Sequence, residues 1–281
     1  MLRGLYFSKS SFECVNIYVY MTKLTILGCG ASSGVPIIGC ECAVCCSDNP
    51  KNKRLRASVV FENESGSKLL IDASPDLRQQ ALANNITQVD GLIITHAHAD
   101  HCHGLDDFRP FNFSKNDAID LVATQYTMNE LKERFAYVFK EHKHQYGWYK
   151  PAFNERIIDV QNAPASVEVA GMKTIIFQQT HGRINTLGVR VGDIAYSTDV
   201  NHLSDAAFAA LAGVEIWVVD CLRYTPAPTH SHLEQTLKWI ERVKPKRAIL
   251  THMAHEIGYD ELRHILPTNV EPAYDGMILE V

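Results

Sequence analysis

A dense group of potential metal ligands lies near the middle of the chain, where His96, His98, Asp100 and His101 fall within six residues. The group follows the apolar run 91–94, which predicts a buried strand. Histidines two apart on extended backbone point the same way, whereas Asp100 and His101 need a tight turn to aim at a neighbouring point. Neutral imidazole and carboxylate suit Zn, Mn or Fe. The pattern favours two adjacent metal ions over one, and a polar loop rich in histidine by chance is the alternative.

Two metal ions need more than four ligands, and suitable residues follow other strand-like runs. His181 follows residues 174–180, Asp199 follows 194–198 and His252 follows 248–251. Each of them alone would by default be a structural histidine or a capping aspartate. Because sites in open α/β sheets lie where strands end, we expect the three side chains to converge with the first group.

Cysteines form a second group of ligands, with Cys40, Cys42, Cys45 and Cys46 close together. Without a secretion signal, such crowding indicates metal binding or buried thiols rather than a disulfide framework. The spacing C-x-C-x-x-C supplies three thiolates and needs one more ligand for tetrahedral zinc. His255 and Cys46 are candidates for that position, and reduced cysteines in a loop are the alternative.

The elements that must position these residues are a mixture of strand pairs and strand–helix units. Strands are predicted over residues 23–28, 58–61, 68–71, 91–95, 172–178, 187–191, 193–198, 215–219 and 247–251, and helices over 75–83, 128–139 and 232–243. This mixture indicates the α/β class. We expect one domain over residues 21–281, preceded by an N-terminal extension over 1–20.

Composition excludes several classes of protein. The chain has 281 residues, of which 46% are hydrophobic and 21% charged, as in soluble globular proteins and unlike disordered, collagen-like or coiled-coil chains. The net charge of −5 argues against a nucleic-acid partner. No apolar run reaches the roughly 18 residues that cross a bilayer, and no clear secretory signal is present. We therefore expect a cytoplasmic protein with no membrane partner.

Two glycine motifs near residue 30 are discounted. Residues 30–34 match G-x-S-x-G, and Gly28 and Gly30 begin a dinucleotide fingerprint. Both motifs need a helix next, and the proline and cysteine residues that follow do not provide one. Small residues here are expected to let the backbone pass close to the site.

The order of the histidines and aspartates resembles that of the metallo-β-lactamase superfamily, over residues 21–281. The resemblance implies an αββα sandwich with a dinuclear site at its edge. It implies that one metal is held by His96, His98 and His181, the other by Asp100, His101 and His252, and that both are bridged by Asp199. The bridging carboxylate separates this group from the β-lactamases themselves, which usually carry a cysteine there.

The cysteine cluster resembles one branch of that superfamily, the phosphoribosyl 1,2-cyclic phosphate phosphodiesterases and their relatives. The resemblance implies a structural zinc on Cys40, Cys42, Cys45 and His255, and it suggests a homodimer. It also implies a histidine general acid upstream of His252, a position that His230 or His232 could fill. His232 begins a predicted helix, so packing or capping is its alternative role, and Asp220 could orient a histidine.

The predicted function is a metal-dependent phosphodiesterase acting on a small cyclic or sugar phosphate diester. Two divalent cations, Zn or Mn, lower the pKa of a bridging water and hold a phosphoryl oxygen during in-line attack, with Asp100 in the catalytic site. Arginine matches phosphate geometry, and the candidates are Arg109, Arg183 and Arg223. The aromatic stretches 111–113 and 146–149 could line a substrate wall or belong to the core.

Other functions remain open at this point. The same metals can polarise a carbonyl, so a thioester hydrolase of glyoxalase type is the main alternative. An RNA-processing nuclease would want a long basic arm, which the sequence lacks. A non-catalytic metal-binding domain is disfavoured because all seven ligand positions carry suitable residues.

Overall fold

Two seven-stranded β-sheets form the centre of the computed structural model, which describes residues 22–140 and 152–281. The first sheet has the order β14-β1-β2-β3-β4-β5-β6. Its strands are β1 (Lys23–Gly28), β2 (Ser58–Glu62), β3 (Lys68–Ile71), β4 (Gly91–Ile93), β5 (Ile119–Ala123), β6 (Phe153–Ile157) and β14 (Ile278–Glu280).

The second sheet has the order β13-β12-β11-β10-β9-β8-β7. Its strands are β7 (Ala165–Val169), β8 (Met172–His181), β9 (Ile184–Val191), β10 (Ile194–Ser197), β11 (Ile216–Asp220), β12 (Arg247–Thr251) and β13 (Val270–Pro272). The helices are α1 (Leu77–Ala83), α2 (Ala99–Cys102), α3 (Arg109–Lys115), α4 (Gln125–Arg134), α5 (Asp205–Leu211), α6 (Leu233–Val243) and α7 (Tyr259–Ile265).

Both sheets are mixed, and each contains a run of parallel strands. Strands β3 to β6 are parallel to one another, as are β10 to β13, whereas the pairs β1–β2 and β8–β9 are antiparallel. The carboxyl ends of parallel neighbours lie at the same edge of a sheet, so the loops after these strands gather along one edge.

The alternation of side chains along β3 shows how the layers are separated. Leu69 and Ile71 belong to a buried cluster shared with the second sheet, whereas Leu70 lies in another cluster, with Leu77 of α1 and Met128 of α4. Successive residues of a strand point to opposite faces, so one face of the first sheet packs on the second sheet and the other on helices. The predicted αββα sandwich is confirmed.

The predicted strands and helices are found, with differences at their ends. The helix predicted over 128–139 begins at Gln125, because the Thr124 hydroxyl accepts a hydrogen bond from the Thr127 N–H at 3.2 Å, and it ends at Arg134. Strands β5, β6, β7, β13 and β14 were not predicted. The single domain stays a prediction, and the N-terminal extension over 1–20 lies outside the described residues.

The loop after β1 contains the two discounted glycine motifs. A Cβ atom on Gly28 would lie 2.1 Å from the carbonyl oxygen of Arg56, so only glycine fits this backbone crossing. The next helical turn along the chain is a short 3-10 turn at Pro50–Asn52, which does not follow the motifs directly. In the part of the chain that the structure describes, no helix is long and apolar enough to cross a membrane.

Candidate metal centre and active site

The predicted ligands of the two catalytic metals meet where strands of both sheets end. His96 and His98 lie in the loop after β4, Asp100 and His101 lie on α2, and His181 is the last residue of β8. Asp199 follows β10 with φ of 50°, and His252 follows β12 with φ of 57°. Left-handed backbone is uncommon for residues other than glycine. At Asp199 and His252 it turns the chain sharply where each strand ends.

Asp199 lies between two groups of imidazoles. Its Oδ1 atom is 3.8 Å from Nε2 of both His96 and His181, whereas its Oδ2 atom is 3.1 Å from Nε2 of His101 and 3.3 Å from Nε2 of His252. Ligand atoms of two sets lie within 4.8 Å of one another: His96, His98, His181 and Asp199, and Asp100, His101, Asp199 and His252. These groups correspond to the two sets that the resemblance to the metallo-β-lactamase superfamily implies, with Asp199 shared.

Buried hydrogen bonds orient the ligand side chains. Asp72 accepts hydrogen bonds from the Thr95 N–H and hydroxyl, both at 2.8 Å, and its Oδ2 lies 2.7 Å from Nδ1 of His101. Because the Thr95 hydroxyl donates to Asp72, its oxygen accepts from Nδ1 of His96 at 3.0 Å. Such partners fix the ring orientation and leave Nε2 of both histidines facing the site.

Burial and neighbouring carboxylates shift the pKa values of the histidines in this site in opposite directions. Burial lowers the pKa of His96 well below its usual value and also lowers the pKa of His181. For His252, burial opposes the charged form, but the surrounding carboxylates, chiefly Asp199, raise the pKa to about 9. Asp199 is buried as well, yet the imidazoles, chiefly His101, hold its pKa well below its usual value. The carboxylates therefore create a negative potential that favours cations.

Buried atoms without partners show that these residues fit divalent metal ions. Among the described residues, Nε2 of His101 and Nε2 of His252 are buried and make no hydrogen bond of normal geometry, although Oδ2 of Asp199 lies 3.1 and 3.3 Å away. Unpaired buried polar atoms are costly, so their presence here calls for an explanation. Neutral imidazole nitrogens and carboxylate oxygens form the donor set that Zn and Mn accept, and the histidines and aspartates therefore fit two metal ions.

His230 lies at the same site and His232 does not. The ring of His230 stacks on His252, with centroids 4.7 Å apart, and its Nε2 atom is 3.9 Å from Asp199. Its Nδ1 atom lies 3.2 Å from Oδ2 of Asp220, the last residue of β11. His232 is instead the residue that precedes α6, at its N-cap.

The cysteine cluster closes around His255. The Nδ1 atom of His255 lies 3.2, 3.4 and 3.8 Å from the sulfur atoms of Cys40, Cys42 and Cys45. A hydrogen bond from the Cys45 N–H is the main cause that lowers the pKa of Cys42 to about 6. Cys46 is exposed and lies outside this four-residue group. Three thiols and one imidazole suit tetrahedral zinc.

A buried arginine fixes the segment that carries both His252 and His255. Arg54 is 2% exposed, and its guanidinium donates to the carbonyl oxygens of Ala254 at 3.1 Å and Ile257 at 2.7 Å. Nothing in the local sequence pattern marks Arg54 as buried, so its role could not be predicted from the sequence.

The three candidate phosphate-binding arginines differ in their surroundings. Arg183 is exposed and lines a cavity of about 490 Å³ together with His98 and His181. Arg223 donates instead to the carbonyl oxygens of Thr225 and Pro226. Arg109 forms an ion pair with Asp106 at 3.7 Å. Of the three arginines, Arg183 is therefore the one that lines the same cavity as predicted metal ligands.

The two aromatic residues of the stretch 111–113 lie in different surroundings. Phe111 is buried in the core and Phe113 is 60% exposed. Residues 146–149 lie outside the described residues.

Asp72 and Thr95 were missed as functional residues. Asp72 has φ of 63° and directly follows β3, so it ends its strand as Asp199 ends β10. A lone aspartate after a strand is a weak signal, which is why the sequence analysis passed over it. The Thr229 carbonyl, which accepts from Nδ1 of His181 at 2.7 Å, carries no side-chain signal at all.

Comparison with known proteins defines the class. A sequence profile described as "Beta-lactamase superfamily domain" matches residues 67–253. The match covers more than half of the chain, which therefore belongs to that family. The resemblance inferred from the histidines and aspartates is confirmed.

Individual relatives narrow the comparison. The chain is similar to the solved structure of "a New Diphosphatase from the PhnP Family", with 37% identity, coverage of 93% of this chain and 97% of that one, and a TM-score of 0.85. The zinc-bound PqqB of Methylobacterium extorquens has the same fold, with 18% identity over 92% of this chain and 100% of that one, and a TM-score of 0.74.

A curated relative extends beyond the region of similarity. The chain is 31% identical to an octanoyltransferase of Porphyromonas gingivalis over 257 residues, which are 91% of this chain and 51% of the relative. The chain thus spans about half the length of that protein.

Proposed function

We propose that this chain is a metal-dependent phosphodiesterase with a dinuclear site, acting on a small phosphorylated substrate. The observation that carries the proposal is Asp199, whose two carboxylate oxygens each face a separate group of imidazoles. The similarity to a diphosphatase at 37% identity supports chemistry at phosphorus. When bound, two divalent cations lower the pKa of water and stabilise the charge that develops on the phosphate.

The protein's own part in this reaction begins with holding the metals. His96, His98 and His181 would hold one ion, Asp100, His101 and His252 the other, and Asp199 both. The imidazoles of His101, His96 and His181 donate from Nδ1 to Asp72, to the Thr95 hydroxyl and to the Thr229 carbonyl, which keeps them in the tautomers that present Nε2 to the site. The identity of the ions, Zn or Mn, is part of the proposal, as is a structural zinc on Cys40, Cys42, Cys45 and His255.

Protonation of the leaving oxygen is assigned to His230. Its Nδ1 atom faces Asp220, so the carboxylate orients the ring and directs Nε2 toward the site. Asp220 is held in place in turn, since its Oδ2 also accepts from the N–H groups of Val200 and Ser231, both at 3.2 Å. In the forward reaction Nε2 gives its proton to the departing oxygen.

Arg183 is assigned to the substrate phosphate. In the described part of the chain its guanidinium has no hydrogen bond or ion pair, although it borders the cavity that contains His98 and His181. A guanidinium fork matches two phosphate oxygens.

One assay separates this function from thioester hydrolysis. Protein loaded with Mn or Zn is tested against bis(4-nitrophenyl) phosphate and S-lactoylglutathione, with Asp199→Ala beside the wild type. We expect phosphodiester turnover that falls by about a thousandfold in Asp199→Ala, because the variant loses a group that serves both metals. Thioester turnover alone would overturn the proposal. The cytoplasmic location and the homodimer stay predictions of the sequence analysis.

A further inference from the structure

A second cavity, of about 560 Å³, adjoins the candidate active site and has no role in the reaction described above. It shares Arg183 and Ile184 with the cavity that contains His98 and His181. Its opposite wall is formed by the carboxyl ends of β5 and β6 and the residues that follow them. Tyr126, on α4, follows β5, and Ile157 is the last residue of β6. Because β4, β5 and β6 are parallel, these segments lie on the same edge as the ligand-bearing loop after β4. The cavity therefore continues the active site along the sheet.

The lining of this cavity combines an aromatic ring, amides and two opposite charges. Tyr126 is 64% exposed and Ile157 is 47% exposed, so both offer uncovered apolar surface. The charged residues of the lining are Arg183 and Asp159, and one oxygen of Asp159 accepts from the Gln161 N–H at 3.0 Å. The other polar residues of the lining are Thr124, Thr186 and four residues with amide side chains: Gln125, Gln161, Gln178 and Asn185.

We propose that this cavity binds the nucleoside part of an acyclic phosphodiester or diphosphate, an inference that rests on the proposed function. Aromatic side chains stack on bases, and amides form hydrogen bonds with base edges. A carboxylate such as Asp159 accepts from ribose hydroxyls, as acidic residues do in dinucleotide sites. Arg183, at the junction of the two cavities, contacts the phosphate that connects the nucleoside to the reacting centre.

The arrangement also assigns which half of the substrate is released. The active-site cavity is lined by Arg183 and Ile184, which it shares with the second cavity, and by Pro228 and Thr229, the residues just before His230. A leaving oxygen must face the proton donor, so the leaving group lies toward His230. The nucleoside, in the second cavity, whose lining does not include residues 228–229, is then the part that keeps the phosphate.

Three substrates with one leaving group test this inference. Methyl, phenyl and thymidine 5′ esters of 4-nitrophenyl phosphate release the same 4-nitrophenolate, so differences in kcat/KM report on the retained group. We expect the thymidine ester to exceed both other esters by about tenfold or more, as a stacked base contributes. Equal values for the phenyl and thymidine esters would overturn the inference, because they would show no recognition of a nucleoside.

Substitution in the cavity wall connects the preference to these residues. Tyr126→Ala should reduce the ratio of the thymidine to the methyl ester by about tenfold, chiefly through KM. Leu82→Ala is the matched control, because Leu82 is also 64% exposed but lies on α1, away from both cavities. This control should leave the ratio unchanged. A ratio that is unaffected by Tyr126→Ala would contradict the proposal.

A binding measurement keeps this test independent of the proposed reaction. If none of the three esters is hydrolysed with either metal, the phosphodiesterase function fails, and calorimetry with thymidine 5′-monophosphate then decides about the cavity. Binding that weakens about tenfold in Tyr126→Ala and is unchanged in Leu82→Ala supports a nucleotide site. Absence of binding, or equal affinity in wild type and Tyr126→Ala, overturns it.

Discussion

The two groups of ligand residues in this protein are held in place in different ways. The histidines and aspartates of the catalytic site follow strands of both sheets, and most are buried, with Asp199 at 2% and His252 at 1% exposure. The three cysteines lie instead in the long loop between β1 and β2, and two of them, Cys40 and Cys42, are partly exposed. The proposed catalytic ligands are thus positioned by strand ends and buried surroundings, whereas the cysteines lie in a loop and are less enclosed.

After the loss expected for Asp199→Ala, the next largest effect is expected in the same site, at His230. His230→Gln should lower kcat by about a hundredfold or more for substrates with poor leaving groups, because their departing oxygen needs a proton. Esters of 4-nitrophenol, whose anion leaves without protonation, should be affected far less. The measurement is kcat for a series of diesters with leaving groups of increasing pKa.

His232→Gln is the matched control for this series. His232 is the N-cap residue of α6 and lies outside the metal-ligand groups. The dependence of kcat on the leaving group should therefore stay as in the wild type. A uniform loss for all leaving groups in His230→Gln would contradict the role of proton donor and indicate a positioning role.

The next effect tests whether buried partners arrange the catalytic ligands. Asp72→Asn removes the negative charge that faces Nδ1 of His101 at 2.7 Å, while the carbonyl oxygen can still accept from Thr95. We expect metal affinity or activity to fall by about 10- to 100-fold. This is the usual effect of removing a group that accepts a hydrogen bond from a metal-bound histidine. Metal titration by calorimetry, together with kcat/KM, measures both. Unchanged affinity and activity would mean that the strand ends alone are sufficient.

The same contrast explains what could be predicted from the sequence. The catalytic ligands were predictable because ligand residues follow apolar runs, and the ends of adjacent strands must meet in a sheet. Asp72 was not, because its role depends on a left-handed backbone and on a contact with His101, 29 positions away. The choice between His230 and His232 also needed the structure, since both lie in one short segment and only Asp220 distinguishes them. Strands β5 to β7 were missed because their contacts, and not their local patterns, define them.

A smaller effect on activity is expected from the cysteine group. Cys42→Ala removes one sulfur ligand, and the loop between β1 and β2 should then become sensitive to proteolysis even with added zinc. Activity should fall by less than about tenfold, because Cys42 is not one of the proposed catalytic ligands and can affect them only indirectly, through the structure between the two sites. Cys46→Ala is the matched control, since Cys46 is exposed and lies outside the group. Loss of activity as large as that in Asp72→Asn would contradict the distinction between the two groups.

The smallest effect on activity is expected at Asp275, which holds both ends of the cysteine loop. Its oxygens accept from the Cys29 N–H at 3.1 Å and from the Leu55 N–H at 2.7 Å. Burial raises the pKa of Asp275 from 3.8 to about 6. Between these values the folded protein binds more protons than the unfolded chain, so its free energy of unfolding falls as the pH rises.

Asp275→Asn should remove this pH dependence. Relative to the variant, the wild type should lose about 2 kcal/mol of unfolding free energy between pH 4 and pH 7, which is most of the free energy equivalent to a shift of about two pKa units. Urea unfolding of both proteins at several pH values measures the difference, in which contributions from the histidines cancel. Parallel stability curves would show that folding does not shift the pKa of Asp275, so that it is ionised in the folded state above about pH 5. The loop would then be held by a charged carboxylate, and its anchoring would resemble that of the catalytic ligands.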